Sequence, residues 1–281
     1  MISSRLKVGL VQERWHENPK EHEACLKEGV FSAVQQGAQL VCLQELTLSP
    51  YFCVCPNIDA TPFMEDLKTG PTARFVGNLA KSFQVFIIAS LFDKEGYNTA
   101  VAFNHEGALV ASTRKQHLPS GAQYHEDHYF KPGNSDYPVH QFLNHSWGLP
   151  TCYDQWFPEV SRIYSLKGAE ILVYPTAIGS EPTALDLDTK PLWQTVMVAQ
   201  GIMTNTFIIA VNRVGIEEGL TFYGSSFVST PLGTILIQGP RHEPAVLVTE
   251  LDFSQRVLWE KLFPFQEQRQ PDTYKALVTN I

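Results

Sequence analysis

The chain sets short, almost wholly apolar runs between segments of helical spacing. Gln39 to Gln44 (QLVCLQ), Val85 to Phe92 (VFIIASLF), Ile171 to Tyr174 (ILVY) and Thr206 to Val211 (TFIIAV) are the clearest of these runs. Each has the length of a strand, and a strand with so little polarity needs cover. The cover is at hand. Helical apolar spacing runs through Pro19 to Gln36, which stops before Gly37, and through Thr72 to Phe83. It recurs in Pro158 to Lys167 before Gly168, in Pro191 to Thr204 and in Phe253 to Leu262. Leu6 to Val11, Gln141 to Leu149 and Ala245 to Leu251 read as further strands. Phe227 to Ser229 pairs with Thr234 to Ile237, and Thr99 to Phe103 with Ala108 to Arg114, the latter as a hairpin about Asn104–Gly107. The expectation is one α/β domain whose helices cover a sheet or a pair of sheets. Lys115 to Pro138 has little periodicity; long loops in compact domains tend to be functional.

The 281 residues, 44% hydrophobic and 18% charged, can bury a sizeable core. The net charge of -8 argues against general nucleic-acid binding and against an anionic membrane surface. Cys25, Cys42, Cys53, Cys55 and Cys152 form no CxxC pair, so neither a zinc ribbon nor a disulfide framework is expected. With no signal-like run at the N-terminus and no membrane-length apolar segment, the expected setting is a reducing cytoplasm.

Three chemically useful residues follow strands. Glu45 ends VCLQE, Lys115 ends ALVASTRK, and Cys152 follows QFLNHSWGL. In α/β architectures, sites gather beyond the carboxyl ends of strands. A thiol, a carboxylate and an ammonium meeting there can perform acyl transfer: attack, proton transfer and oxyanion stabilisation. Spacing alone leaves other readings open. Cys152 could be a small buried hydrophobe, Glu45 a loop carboxylate, and Lys115 a solvated charge beside Arg114. His117, His125 and His128 match no ligand spacing of a metal hydrolase.

Three segments, LQELTLSPYF, TRKQHLPSG with EDHYFKPGN, and TCYDQWFPEVSRIYSLKGAEILVYPTAIG, resemble the glutamate, lysine and cysteine signatures of the nitrilase (carbon-nitrogen hydrolase) superfamily. VNRVG and FYGSSFVSTPLG extend the resemblance over essentially the whole chain. It implies a four-layer αββα sandwich, dimers or larger homo-oligomers, and neither cofactor nor metal. By motif position, Cys152 would be the nucleophile, Glu45 the general base and Lys115 the oxyanion partner, with the Tyr153 amide as second oxyanion donor. Glu126 matches a second glutamate that would position Lys115, and His117 a supporting histidine. Thr151 and Thr113 depart from the usual aliphatic and aromatic residues; neither replaces a proposed catalytic group.

Residues after the nucleophile bear on the substrate. Relatives that cleave N-carbamoyl D-amino acids carry arginines there to hold a carboxylate; this chain has Gln155 and Trp156, although Arg213 could substitute from elsewhere. CYDQWFPE followed by YPTAIGSEP resembles the branch of the superfamily that hydrolyses N-carbamoylputrescine, a small N-carbamoyl amine. On that resemblance Glu181, with Asp154 nearby, would meet an ammonium, while Tyr51 and Trp156 wall a four-carbon chain. Asp154 could equally organise the turn after Cys152. The rivals are an amidase acting on N-carbamoyl-β-alanine or an ω-amide, and a catalytically silent interaction module. The hydrolase domain is expected over residues 1–262. The tail, 263–281, resembles the segment used in subunit contacts.

Overall fold

The computed structural model describes residues 5–121, 123–184 and 186–279. The first half of the chain forms β1 (Arg5–Gln12), α1 (Pro19–Gln35), β2 (Leu40–Leu43), β3 (Met64–Glu65), α2 (Pro71–Phe83), β4 (Phe86–Asp93), β5 (Asn98–Phe103) and β6 (Leu109–Arg114). The second half forms β7 (Val139–Phe142), β8 (His145–Gly148), α3 (Pro158–Leu166), β9 (Ile171–Thr176), α4 (Lys190–Thr204), β10 (Phe207–Asn212), β11 (Val214–Glu217), β12 (Leu220–Tyr223), β13 (Phe227–Ser229), β14 (Ile235–Gln238), β15 (Ala245–Asp252) and α5 (Ser254–Leu262).

The strands build a seven-stranded sheet, β15-β1-β2-β4-β5-β6 with β3 on β4, and a six-stranded sheet, β14-β13-β10-β9-β8-β7. Alternate residues of each apolar strand serve two different cores. Leu40 and Cys42 of β2 face a central cluster with Ile171, Val173, Phe207 and Ile209 of the other sheet. Val41 and Leu43 face outward onto Leu26, Val30 and Ala33 of α1 and Val76 and Ala80 of α2. Leu172, Tyr174 and Ile208 face outward onto Val160 and Tyr164 of α3 and Trp193 and Met197 of α4. Helix, sheet, sheet, helix is therefore the layer order, the expected αββα sandwich. The strands are apolar on both faces because both faces are covered.

Local signals place the helices. Asn18 caps α1, its side chain accepting from the Lys20 N–H, with Pro19 at the first helical position. Asn205, in the left-handed region at φ 54°, ends α4. Two strand expectations need correction. Gln141 to Leu149 is not one strand: Leu143 and Asn144 both take positive φ (50° and 60°) and turn it into the β7–β8 hairpin. The β11–β12 hairpin, turned by Glu218 and Gly219 at φ 47° and 86°, was not expected at all. Among the described residues no helix is long and apolar enough to cross a membrane.

α1 lies unusually close to β1. A Cβ added at Gly29 would sit 2.5 Å from Val11 Cγ1. Gly29→Ala gains helix propensity but forces the layers apart, and overpacking outweighs the gain. The expected net loss is about 1–2 kcal/mol of unfolding free energy, read as a lower urea midpoint at unchanged m-value.

Candidate active site

Glu45 lies two residues past β2 and Lys115 directly follows β6, both on the seven-stranded sheet. Cys152 comes from the other sheet, past β8, where the chain bends into the short 3-10 turn Cys152–Trp156. Cys152 takes φ 38°, a left-handed conformation for a residue with a Cβ, and such strain gathers at functional sites. The first N–H groups of such a turn, Tyr153 among them, have no acceptor within it. Cys152 Sγ lies 3.7 Å from the Ala177 carbonyl, just beyond β9.

Glu45, Lys115 and Glu126 form one buried ionic chain. Lys115 Nζ donates to Glu45 Oε1 at 2.8 Å and to Glu126 Oε2 at 2.5 Å. Glu45 Oε1 also accepts from Asn98 Nδ2 at 2.7 Å, and Glu126 Oε1 accepts from the Tyr51 hydroxyl at 2.8 Å. Burial alone would depress the Lys115 pKa, but Glu126 and Glu45 hold it well above its ordinary value. Burial, and then the charge of Glu45, push the Cys152 thiol well above the usual range, against the pull of Lys115. Burial raises the Glu126 carboxyl to about 7, opposed by Lys115 and reinforced by Glu45.

A cavity of about 90 Å³ opens on Cys152 and is walled by Glu126, Tyr124, Tyr153, Trp156 and Glu181. Gln155 also lines it, held by Trp193 Nε1 on its Oε1 (2.7 Å) and Gln200 Nε2 on its carbonyl (2.6 Å). Among the described residues no lysine or arginine lines it.

The structure thus brings Glu45, Lys115 and Glu126 into contact and puts Glu126, Cys152, Tyr153, Trp156 and Glu181 on one cavity. Three other residues lie elsewhere. Tyr51 stands behind Glu126, fully buried, rather than on the wall. Both Asp154 oxygens are taken up: Oδ1 accepts the His117 N–H (2.9 Å) and contacts its Nδ1 (2.8 Å), and Oδ2 accepts the Thr151 N–H (3.1 Å). Asp154 therefore ties the lysine loop to the cysteine turn, and His117, stacked on Phe157 at 3.7 Å, completes that tie. Arg213 is no carboxylate clamp. It pairs with Glu217 at 2.6 Å, and its Nη2 donates to the Glu45, Leu46 and Ser49 carbonyls, each at 3.0 Å. His128 Nδ1 contacts the Pro56 carbonyl at 2.8 Å, and among the described residues His117, His125 and His128 are not brought together as a group of possible metal ligands. Sequence reasoning missed Asn98 and Tyr124. Tyr124 accepts the Gly179 N–H at 2.9 Å and donates to the Ser180 carbonyl at 3.2 Å, bracing the loop before Glu181.

A thiol on a cavity wall, with a buried carboxylate and ammonium pair joined to that wall through Glu126, can transfer an acyl group. The family profile for "Carbon-nitrogen hydrolase" matches residues 7–261. The chain belongs to the carbon-nitrogen hydrolase family. It is 33% identical to a citrullinase of Francisella tularensis over 98% of this chain and 99% of that protein. It is 35% identical to the N-carbamoylputrescine amidase of Arabidopsis thaliana, covering 89% and 87% of the two chains. A carbon-nitrogen hydrolase from Helicobacter pylori superposes with a TM-score of 0.91 at 32% identity, covering 98% and 99%. The chain is accordingly a hydrolase of carbon-nitrogen bonds.

Glu126 gives a pH prediction. Its folded-state pKa of about 7 exceeds the 4.5 of the free side chain, so between these values the folded protein binds the extra proton. The group's contribution to stability is present at the acid end of this window and is lost as pH rises through about 7. Glu126→Gln is expected to remove that negative slope, measured as denaturation free energy against pH.

Proposed function

We propose that this chain hydrolyses the ureido group of N-carbamoylputrescine through Cys152, releasing ammonia, carbon dioxide and putrescine. The observation that carries the substrate is the cavity wall: it offers the Glu181 carboxylate and no cation. N-carbamoyl-β-alanine, ω-amides and citrulline all carry a carboxylate, and burying one without a partner costs about several kcal/mol. Arg213 is already occupied by Glu217 and three carbonyls. A primary ammonium facing Glu181 meets no such cost, and Trp156 flanks the chain between.

In the proposed reaction the Cys152 sulfur attacks the ureido carbon as Glu45 takes the thiol proton. Lys115 Nζ and the Tyr153 N–H hold the oxyanion. The bond to the terminal nitrogen breaks as Glu45 returns the proton, and ammonia leaves an S-carbamoyl thioester. Water then adds, its proton passing to Glu45 and on to the departing sulfur. The released carbamate decomposes to carbon dioxide and putrescine. Glu126, braced by Tyr51, positions Lys115.

Citrulline is the second reading, favoured by the Francisella relative; it presents the same ureido head with an added carboxylate. Ammonia release decides between them. The expected result is kcat/KM at least about tenfold higher for N-carbamoylputrescine than for citrulline, with KM raised about tenfold in Glu181→Gln, equivalent to about 1.4 kcal/mol. Preference for citrulline would overturn the substrate while leaving the thiol chemistry. Wild-type turnover by Cys152→Ala would overturn the nucleophile.

We also propose self-association through α5 and the tail, which expose Val257 (71%), Leu262 (57%), Leu277 (65%) and Val278 (89%). Light scattering is expected to give a multiple of 31.6 kDa; a monomer at that mass would end this proposal.

A further inference from the structure

Asn98, the first residue of β5, is fully buried and touches both partners of the ionic chain. Its Nδ2 donates to Glu45 Oε1 at 2.7 Å, and its main-chain carbonyl accepts the Lys115 N–H at 2.8 Å. The orientation of its amide follows from the network. The Glu45 carboxylate can only accept, so a contact of 2.7 Å requires a donor from the amide, and Asn98 Oδ1 is left to accept the Ser90 hydroxyl proton at 2.9 Å. Nδ2 therefore faces the carboxylate, and Ser90 Oγ, which also accepts the Leu46 N–H at 3.2 Å, anchors the other end of the amide.

The consequence falls on Glu45. Its Oε1 accepts from both Lys115 and Asn98, whereas its buried Oε2 has no partner among the described residues. A buried carboxylate oxygen left without a donor is costly unless it is kept for something. We infer that Asn98 is a positioning residue: it fixes Glu45 through Oε1 and so reserves Oε2 as the oxygen that takes the Cys152 proton and returns it to the departing nitrogen. The same residue sets the spacing of Glu45 and Lys115, because its side chain holds one and its backbone the other. Without the Nδ2 contact the carboxylate can turn about its last bond, Lys115 can bridge both oxygens, and the proton acceptor loses its orientation.

This inference rests on the proposed role of Glu45, and the test separates the two. In Asn98→Ala, kcat per titrated Cys152 is expected to fall about 10- to 100-fold with KM within about twofold, the size of effect that misplacement of a reacting group produces. A merely structural role would lower the melting temperature and the titratable fraction but not the turnover of each titrated site. Asn98→Asp, of equal shape, is expected to lose kcat as well, since it exchanges the donor for a like charge. If Asn98→Ala does not fold, Ser90→Ala carries the test, with about a two- to fivefold fall in kcat at constant KM as Asn98 loses its anchor. Unchanged kcat, or a loss confined to KM, in the folded variant overturns the inference. Glu45→Gln is the control. Its inactivity beside a normal Asn98→Ala would remove the positioning role alone, whereas its full activity would remove the role of Glu45 itself.

Discussion

One ammonium, Lys115, held between two buried carboxylates sets the terms for everything around it. Lys115, Glu45 and Glu126 are each at most 1% exposed. Charges taken out of water cost several kcal/mol each unless close pairing and hydrogen bonds offset the loss. Here one positive charge faces two negative ones, so pairing alone leaves a negative charge unbalanced. The fold meets it in three ways. Asn98 donates to Glu45, the Tyr51 hydroxyl donates to Glu126, and the Glu126 carboxyl is raised until it holds a proton near neutral pH. Tyr51 is buried as a consequence of that balance. Its ring belongs to the aromatic cluster with Phe222 and Phe52, and its hydroxyl belongs to the charge network.

The loops that bear these groups are held by polar clamps as well as by packing. Arg213, fully buried beside Glu217, gathers three carbonyls of the segment from Glu45 to Ser49, and Glu217 accepts the Tyr51 N–H at 2.7 Å. Leu46, at φ 50°, lies inside that grip, which shows how tightly the turn after β2 is specified. Asp154 does the same between the Lys115 loop and the Cys152 turn. The sheets fix where each loop begins and the clamps fix where its functional atom ends. This division lets four layers of apolar residues carry a polar site at their edge without opening the core.

How much of this was legible follows the range of each interaction along the chain. The strands and helices that were expected were read to within a residue or two because length, period and stop residues are local signals, as with Gly37 after α1 and Gly168 after α3. The β7–β8 turn was not, because Leu143 gives no sign that it will take a left-handed conformation. Glu218-Gly219 is a weaker turn signal than Asn-Gly. Motif order led us to expect Glu45, Lys115 and Cys152 together; Glu45 and Lys115 are in contact and both bear electrostatically on the Cys152 thiol, which spacing alone could not have shown. The clamps were illegible for a plainer reason. Tyr51 and Glu126 are 75 positions apart, Asp154 and His117 37 apart, and Arg213 and Leu46 167 apart. An aspartate two residues after the cysteine looks like a substrate ligand until its acceptor sites are counted against the amides around it.

The same charge balance bears on which molecules suit the cavity. In the proposed reaction the thiol, pushed up by burial, keeps its proton until a carbonyl is in place, so attack and proton transfer to Glu45 would be coupled. On that proposal the developing oxyanion would compete with Glu45 and Glu126 for Lys115. A proton on Glu126 weakens one of those competitors and frees the ammonium for the transition state, where its charge is worth most. A neutral ureido head leaves that charge balance undisturbed, and a cationic tail would be drawn to Glu181 at the wall. An anionic tail would bring in one more negative charge where the wall has no cation to receive it. The substrate preference proposed for this chain thus follows from the charges on the wall, with the buried lysine network balanced behind it.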